Sequence, residues 1–160
     1  MSIQAGSLEE RQIFTKLQDK LPGLFTRVTK DNRLPQTIVV VPSLSMDQRE
    51  LAKITGVHHY EERMLYMLML LRRAKTRVIF VTSQALSPIV IDYYLHLLGG
   101  IPSYHAKNRL LLFNCADASS LPLSQKILNR PRLIQRIKEA IGDSENAHMV
   151  CFNSSSLERT

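Results

Sequence analysis

Small polar residues follow each of four apolar runs in this 160-residue sequence, at positions where a strand would end and a loop would begin. In an open parallel sheet, ligands bind outside the carboxyl ends of the strands. The sequence therefore predicts a rim that contacts a ligand or a neighbouring domain, made of Ser43, Ser45, Ser83, Gln84, Asn114, Asp117 and Asn153. Serine and asparagine are also ordinary helix caps, so a purely structural role for these residues stays open.

The motifs of the common enzyme chemistries are absent from the sequence. It has no phosphate-binding loop with a Walker A lysine, no G-x-G-x-x-G fingerprint, no G-x-S-x-G elbow and no H-E-x-x-H motif. Its two cysteines, Cys115 and Cys151, are too few for a disulfide scaffold or a cysteine-built zinc site. We therefore predict no catalytic residue, no metal ligand and no bound cofactor in this chain.

The charge balance favours an anionic partner. Lysine and arginine number 21 against 14 aspartate and glutamate, which gives a formal net charge of +7. A candidate basic surface is formed by Lys126, Arg130, Arg132 and Arg136. It suits a nucleotide, an acidic protein face, RNA or simply solvent. Nucleic acid is the least expected partner, because tryptophan is absent and no helix-turn-helix or RNP pattern appears.

Strand-like apolar runs alternate with helical segments along the chain. The runs are Thr37 to Val41, Arg77 to Thr82, Arg109 to Asn114 and His148 to Asn153. Such alternation is typical of βαβ units, whose crossovers place helices on both faces of a parallel sheet. Strands that are apolar at nearly every position are usually buried on both faces. The predicted fold is α/β, a Rossmann-like three-layer α/β/α arrangement with a mainly parallel sheet.

Several predicted helices have readable ends. Ser7 caps the first helix, and Pro22-Gly23 is expected to interrupt it. The strongest helical segment is Tyr60 to Arg73, whose middle is apolar all round and is therefore expected to be covered on every side. Pro88 and Pro131 each open a further helix, because proline is tolerated at the first helical position.

The sequence carries no sign of membrane insertion or secretion. Its longest apolar run, Met64 to Leu71, has eight residues, too few to span a bilayer. No apolar stretch follows a basic start, as a secretory signal requires. We therefore expect a cytoplasmic protein with no membrane partner.

Four strings in the sequence resemble the N-terminal region of ATP-grasp peptide ligases of the pheganomycin-synthesising type, which are carboxylate–amine ligases. The resemblance covers most of residues 36–159. The strings are Ile38-Val-Val-Val-Pro-Ser-Leu-Ser45, Gly56-Val-His-His-Tyr-Glu-Glu-Arg63, Val78-Ile-Phe-Val-Thr-Ser-Gln84 with Pro88-Ile-Val-Ile-Asp-Tyr-Tyr-Leu95, and Asn153-Ser-Ser-Ser-Leu-Glu-Arg159.

The resemblance implies a domain organisation and a division of labour. Residues 36–160 would form a Rossmann-like pre-ATP-grasp domain, preceded by a helical segment at residues 1–35 that packs on the core. ATP and magnesium would bind in an ATP-grasp module further along the same parent chain, before which this chain is truncated. The parent protein would be an ATP-grasp ligase, and this chain alone would not catalyse. Its expected partners are that module and a small carboxylate or amine substrate.

Two other classes of function remain open from the residues. The first is a free-standing Rossmann-like binding module for a nucleotide, an acidic protein or RNA, which would use the rim or the basic surface. The second is a small Rossmann-like enzyme whose site matches no known motif. A reading frame that continues well beyond Thr160 would favour the ligase domain over both.

Overall fold

A parallel sheet of four strands forms the centre of the protein. The computed structural model describes residues 6–30, 34–43, 48–51, 53, 55, 58–142 and 145–151. The strands stand in the order β3-β2-β1-β4, and all neighbours pair in parallel. They are β1 (Gln36–Val41), β2 (Thr76–Thr82), β3 (Leu110–Asn114) and β4 (Ala147–Cys151). The predicted α/β fold with a parallel sheet is thus confirmed.

Helices cover both faces of the sheet and complete the three-layer arrangement of a Rossmann-like fold. The α-helices are α1 (Leu8–Lys30), α2 (Gln48–Leu51), α3 (His58–Arg63), α4 (Pro88–His96), α5 (Ser103–Lys107), α6 (Leu123–Leu128) and α7 (Pro131–Ile141). A 3₁₀ helix, Met64–Arg72, follows α3 directly. Helices α5 and α6 were not predicted from the sequence, because they are short and have weak apolar periodicity. It correctly placed the starts of α4 and α7 at their prolines.

Two apolar clusters lie on opposite faces of the sheet. Successive side chains of a strand point to opposite faces, so Ile38 and Val40 belong to one cluster while Val39 and Val41 belong to the other. The first cluster is completed by the 3₁₀ helix, α4 and α5, and the second by α6 and α7. The connections from β1 to β2 and from β2 to β3 therefore lie on one face, and the return from β3 to β4 lies on the other.

The central strands are buried along their length, and the edge strands are not. Every residue of β1 is buried, and β2 is buried except at the partly buried Arg77. In the edge strands, Leu112 of β3 and Met149 of β4 are exposed. Burial on both faces was therefore predicted correctly for β1 and β2, and wrongly for β3 and β4. An edge strand has a neighbouring strand on one side only, so part of its surface stays open to solvent.

The sequence predicted that the apolar segment after α3 is buried on every side. The structure shows that it is buried on one side only. It is a 3₁₀ helix, in which side chains three residues apart lie on one stripe. Leu65, Leu68 and Leu71 accordingly form the buried stripe. Tyr66 and Met69 lie on the outside, 48% and 42% exposed. The change from 3.6 to 3.0 residues per turn gives a narrow buried edge instead of an enclosed helix.

Helix α1 continues through Pro22 and Gly23, where the sequence predicted an interruption. Its start follows the prediction: the backbone N–H of Glu10 donates to Oγ of Ser7 at 3.1 Å, and the Glu10 carboxylate accepts from the N–H of Gly6 at 2.5 Å. Beyond Pro22, the hydroxyl of Thr26 donates to the Pro22 carbonyl at 2.8 Å. Contacts with the rest of the protein also hold these later turns in place.

Those contacts come from the last turns of α1. Leu24 is buried, and the ring of Phe25 meets His148 of β4 edge-on with centroids 5.3 Å apart. The Arg27 guanidinium donates to the carbonyl of Glu145 at 3.4 Å. Burial lowers the pKa of His148, and the positive charge of Arg73 lowers it further.

The boundary that separates a helical segment at residues 1–35 from a Rossmann-like domain at residues 36–160 stays a prediction.

None of the described helices has both the length and the apolar character needed to cross a bilayer.

Candidate functional site at the carboxyl ends of β2 and β3

Four of the seven predicted rim residues come together where β2 and β3 end. The N–H of Asp117 donates to the carbonyl of Ser83 at 2.9 Å, and the N–H of Cys115 donates to the carbonyl of Thr82 at the same distance. These bonds join the two strand-end segments into one surface. The four rim residues at this surface are Ser83, Gln84, Asn114 and Asp117.

Of the other three rim residues, one is buried after β1 and two lie outside the described residues. Ser43 follows β1 and is buried, with its N–H donating to the Val41 carbonyl at 2.8 Å. Ser45 and Asn153 lie outside the described residues. The order of strands reverses between β1 and β4, where a parallel sheet ordinarily opens its ligand crevice. Residues 44–47 and 152–160, which follow these two strands, lie outside the described residues, and the described part of the rim lies at the ends of β2 and β3.

A buried lysine connects the ends of β2 and β3. Lys126 is only 3% exposed, and its Nζ donates to Oγ of Ser83 at 2.9 Å and to the carbonyl of Asp117 at 3.2 Å. Ser83 in turn donates its hydroxyl and its N–H to the two carboxylate oxygens of Glu61, at 2.5 and 2.6 Å. We call Glu61, Ser83 and Lys126 the relay. It ties α3, the end of β2 and α6 together.

The relay corrects one prediction: Lys126 does not belong to a basic surface. A buried ammonium is tolerated only when it is hydrogen-bonded and its charge is compensated. Ser83 supplies the acceptor, and the Glu61 carboxylate behind it supplies the opposite charge. The sequence missed the relay because α6 was not predicted. The sequence feature that could have revealed it is a spacing: Lys126 lies three residues after the apolar Leu123, and residues three apart share one face of a helical turn.

Asp117 presents an ionised carboxylate near Arg130. Its Oδ1 accepts from the N–H of Ser119 at 2.8 Å, and its Oδ2 lies 3.9 Å from a terminal nitrogen of Arg130. Hydrogen bonds from Ser119 hold the pKa of the Asp117 carboxyl below its ordinary value, and the charges of Lys126 and Arg130 act in the same direction. The carboxylate is therefore negative at neutral pH.

The turn that carries Asp117 is strained. Ala116 has a φ of +47°, in the left-handed region that residues with a Cβ rarely adopt. The side chain of Asn114 accepts the Ala116 N–H at 3.1 Å and supports this conformation. Such strain costs about 1 to 3 kcal/mol and persists where the surroundings impose it, often at ligand sites. Here it lets the chain reverse so that the Asp117 main chain meets Ser83 and Lys126.

Burial keeps the Cys115 side chain in its thiol form. The residue is buried, and burial raises the pKa of its thiol, although the nearby charge of Arg130 acts the other way. The thiol is the form that persists at neutral pH, and the thiolate is the reactive form.

The remaining basic residues lie at the surface. Arg132 and Arg136 are exposed on α7, and the side chain of Arg130 is partly exposed. The Arg136 guanidinium stands over the ring of Phe113, 5.2 Å from its centroid. The basic surface therefore consists of three arginines, without the lysine. Within the described part of the chain, no group of three or more histidine, cysteine, aspartate or glutamate residues could hold a metal ion.

Reversing the two outer charges is expected to leave folding nearly unchanged. In the variant Arg132→Glu with Arg136→Glu, each exposed charge contributes about 0 to 1 kcal/mol, and the contact with Phe113 adds a similar small amount. Urea melts of the parent and the variant measure the difference.

We also expect the parent to bind RNA and DNA weakly, with a Kd above about 1 µM in ~0.15 M salt. Tighter binding in an anisotropy titration, lost in the variant, would favour a nucleic-acid-binding module.

Comparison with known proteins relates the chain to a ligase. It matches the L-propargylglycine–L-glutamate ligase of Streptantibioticus cattleyicolor with 24% identity over 141 residues. The match covers 83% of this chain and 29% of the ligase, so the chain spans less than a third of that relative's length. No family model and no solved structure matches the chain. The distant similarity to a carboxylate–amine ligase fits a ligase-related domain.

Proposed function

We propose that this chain is the pre-ATP-grasp domain of an ATP-dependent carboxylate–amine ligase that forms peptide bonds. The observation that carries the proposal is the extent of the match, 83% of this chain against 29% of the ligase. Most of this chain has a counterpart in the relative, and most of the relative has no counterpart here. A catalytic module of its own therefore has ample room in a protein of that length.

The proposed role of this domain is to pack against the catalytic module and to contact substrate. In the chemistry that the resemblance implies, ATP activates a carboxylate and an amine then displaces the phosphate. The side chains that this chain can offer to a substrate are those at the strand ends, where the relay holds β2, β3 and α6 in one arrangement. They supply hydrogen bonds and charge, and they leave phosphate transfer to the module.

Two described residues support the proposal that the domain does not catalyse by itself. Ser83 is buried and already bonded to Glu61 and Lys126, so its hydroxyl is closed to a substrate. Cys115 is buried, and burial raises the pKa of its thiol. Phosphoryl transfer requires donors around the phosphates and carboxylates for magnesium, and the sequence has no phosphate loop to supply the first.

We expect the 160-residue chain to show no magnesium-dependent ATP hydrolysis and no ligation. A coupled assay for ADP with ATP, magnesium and mixed amino acids measures this. Size-exclusion chromatography is the control, because activity of a contaminating ATPase need not co-elute with the 160-residue chain. ATP turnover that co-elutes with the chain and depends on magnesium would contradict the proposal and favour a small Rossmann-like enzyme.

The positive test uses the complete reading frame from which this chain comes. We expect the protein that it encodes to join two amino acids when given ATP and magnesium, with the dipeptide detected by mass spectrometry and one phosphate released per bond. A reading frame that ends at Thr160, with no ligation by its product, would reject the ligase and favour the free-standing binding module.

A further inference from the structure

We propose that Asp117 and Arg130 form a recognition site for the charged head of an α-amino acid. Arg130 would take the α-carboxylate, and Asp117 would take the α-ammonium group. The inference rests on the proposed function, because it assigns a substrate class to the strand-end surface of that domain. The relative's name contains two α-amino acids, L-propargylglycine and L-glutamate, and the head group is what these two share.

Asp117 and Arg130 form an ion pair that a ligand can replace without breaking a hydrogen bond between them. At 3.9 Å, Oδ2 of Asp117 and the terminal nitrogen of Arg130 are near enough for charge attraction and too far apart for a hydrogen bond. Their side chains are 24% and 41% exposed, so solvent and small molecules reach them. A guanidinium binds a carboxylate through two parallel hydrogen bonds, and a carboxylate accepts strongly from an ammonium group. The two ends of a zwitterion fit such a neighbouring pair of opposite charges.

The position of Asp117 is imposed by its surroundings. Its carboxylate accepts from the Ser119 N–H, its N–H donates to Ser83, and its carbonyl accepts from Lys126. The left-handed Ala116 precedes it in the turn. A group that is already held in its binding position loses little entropy when a ligand arrives, and this favours affinity.

The position of Arg130 is also fixed at its main chain. Its N–H donates to the carbonyl of Ile127 at 2.9 Å, and its own carbonyl accepts from Leu133 and Ile134. Arg130 is therefore the joint between α6 and α7, and the same α6 carries Lys126. The relay thus holds both halves of the proposed site, with Lys126 acting as a positioning residue that does not touch the ligand.

The test is a titration of the 160-residue chain with amino acids that differ only in their head groups. The probes are L-norvaline, its α-amide and its N-acetyl derivative, with L-glutamate as a second amino acid. We expect the chain to bind both free amino acids, and each modified norvaline about tenfold or more weakly, because each loses one charged hydrogen-bonded contact. Isothermal titration calorimetry and amide chemical shifts around Asp117 and Arg130 report the binding.

Variants assign each end of the ligand. Arg130→Gln should weaken the binding of L-norvaline about tenfold or more, to the affinity of its α-amide. Asp117→Asn should also weaken the binding of L-norvaline about tenfold or more, to the affinity of its N-acetyl derivative. Arg132→Gln, an exposed arginine two residues away, is the matched control and should change neither affinity. Arg130→Lys keeps the positive charge but cannot donate the two parallel hydrogen bonds of a guanidinium. Its affinity for L-norvaline should therefore fall between those of the parent and Arg130→Gln.

In the binding experiments, three outcomes would overturn the inference. They are no binding by the correctly folded parent, equal weakening by Arg132→Gln, and undiminished discrimination of the α-amide in both Arg130 variants. Thermal melts of each variant show whether it is folded. Failure of the site is separable from failure of the proposed function. Dipeptide synthesis by the complete protein with an unchanged KM in Arg130→Gln would keep the ligase and reject the site. Head-group-selective binding without ligation would keep the site and reject the ligase.

Discussion

Replacing Lys126 with methionine is expected to destabilise the protein by about 3 kcal/mol, which is the lower end for breaking a buried charge pair. Methionine has nearly the length of the lysine stem, so packing is largely kept. What is lost is the donor to Ser83 and Asp117 and the positive charge that faces Glu61 through the Ser83 hydroxyl. The lower end applies because Glu61 is only partly buried. Urea unfolding followed by circular dichroism measures the change.

The same substitution at an exposed lysine is the matched control. Lys138→Met lies on the outer face of α7 and should change stability by no more than about 0.5 kcal/mol. Removing both charges tests the pairing. If Glu61 and Lys126 act as one unit, Lys126→Met with Glu61→Gln should cost less than the sum of the two single substitutions. Additive losses would show that the two charges act independently, and a loss for Lys126→Met as small as that for Lys138→Met would mean that Lys126 reaches solvent.

Leu68→Ala is expected to cost about 2 to 5 kcal/mol, because Leu68 is 1% exposed and truncation leaves a cavity. Leu68 lies in the cluster with Leu65 and Leu71 and with the inward side chains of β1 and β2. The neighbouring Met69 is the matched control in the same helix. Met69→Ala should cost less than about 1 kcal/mol, because that residue is 42% exposed and its truncation opens no enclosed cavity. Denaturant melts of both variants give the comparison.

The pair also tests the helical period of this segment. The 3₁₀ helix places Leu65, Leu68 and Leu71 on the buried stripe, where truncation is costly, and leaves Tyr66 and Met69 exposed, where it is tolerated. An α-helix buried all round would make Met69→Ala nearly as costly as Leu68→Ala. Equal and large losses at the two positions would therefore contradict the 3₁₀ geometry. A loss below about 0.5 kcal/mol at Leu68 would contradict its burial.

The strands could be predicted from the sequence because their signal is local. Each strand of the sheet begins and ends within two residues of its apolar run; β1, for example, spans Gln36–Val41 where the run is Thr37 to Val41. The two proline-led helices were predicted for the same kind of reason, since proline at the first turn acts on its own backbone. Alternation of these elements was sufficient to predict the parallel sheet.

The site could be predicted only in part. Ser83, Gln84, Asn114 and Asp117 were found because they follow strands, and the carboxyl ends of parallel strands meet at one edge of the sheet. Arg130 was found as a basic residue, but nothing in the spacing of residues 117 and 130 shows that their side chains face each other. That proximity depends on how the segment between β3 and α7 folds back.

Patterns within a few residues were enough to predict the parallel α/β fold, the position of most of its strands and helices, and the polar character of the strand ends. Long-range packing, which no local pattern reveals, turns Lys126 inward, winds Met64–Arg72 as a 3₁₀ helix and lets α1 continue past Pro22. Each of these depends on a distant partner. A lysine can be buried only where Ser83 and Glu61 compensate it, and a helical period or a proline in a helix is settled by what the segment packs against.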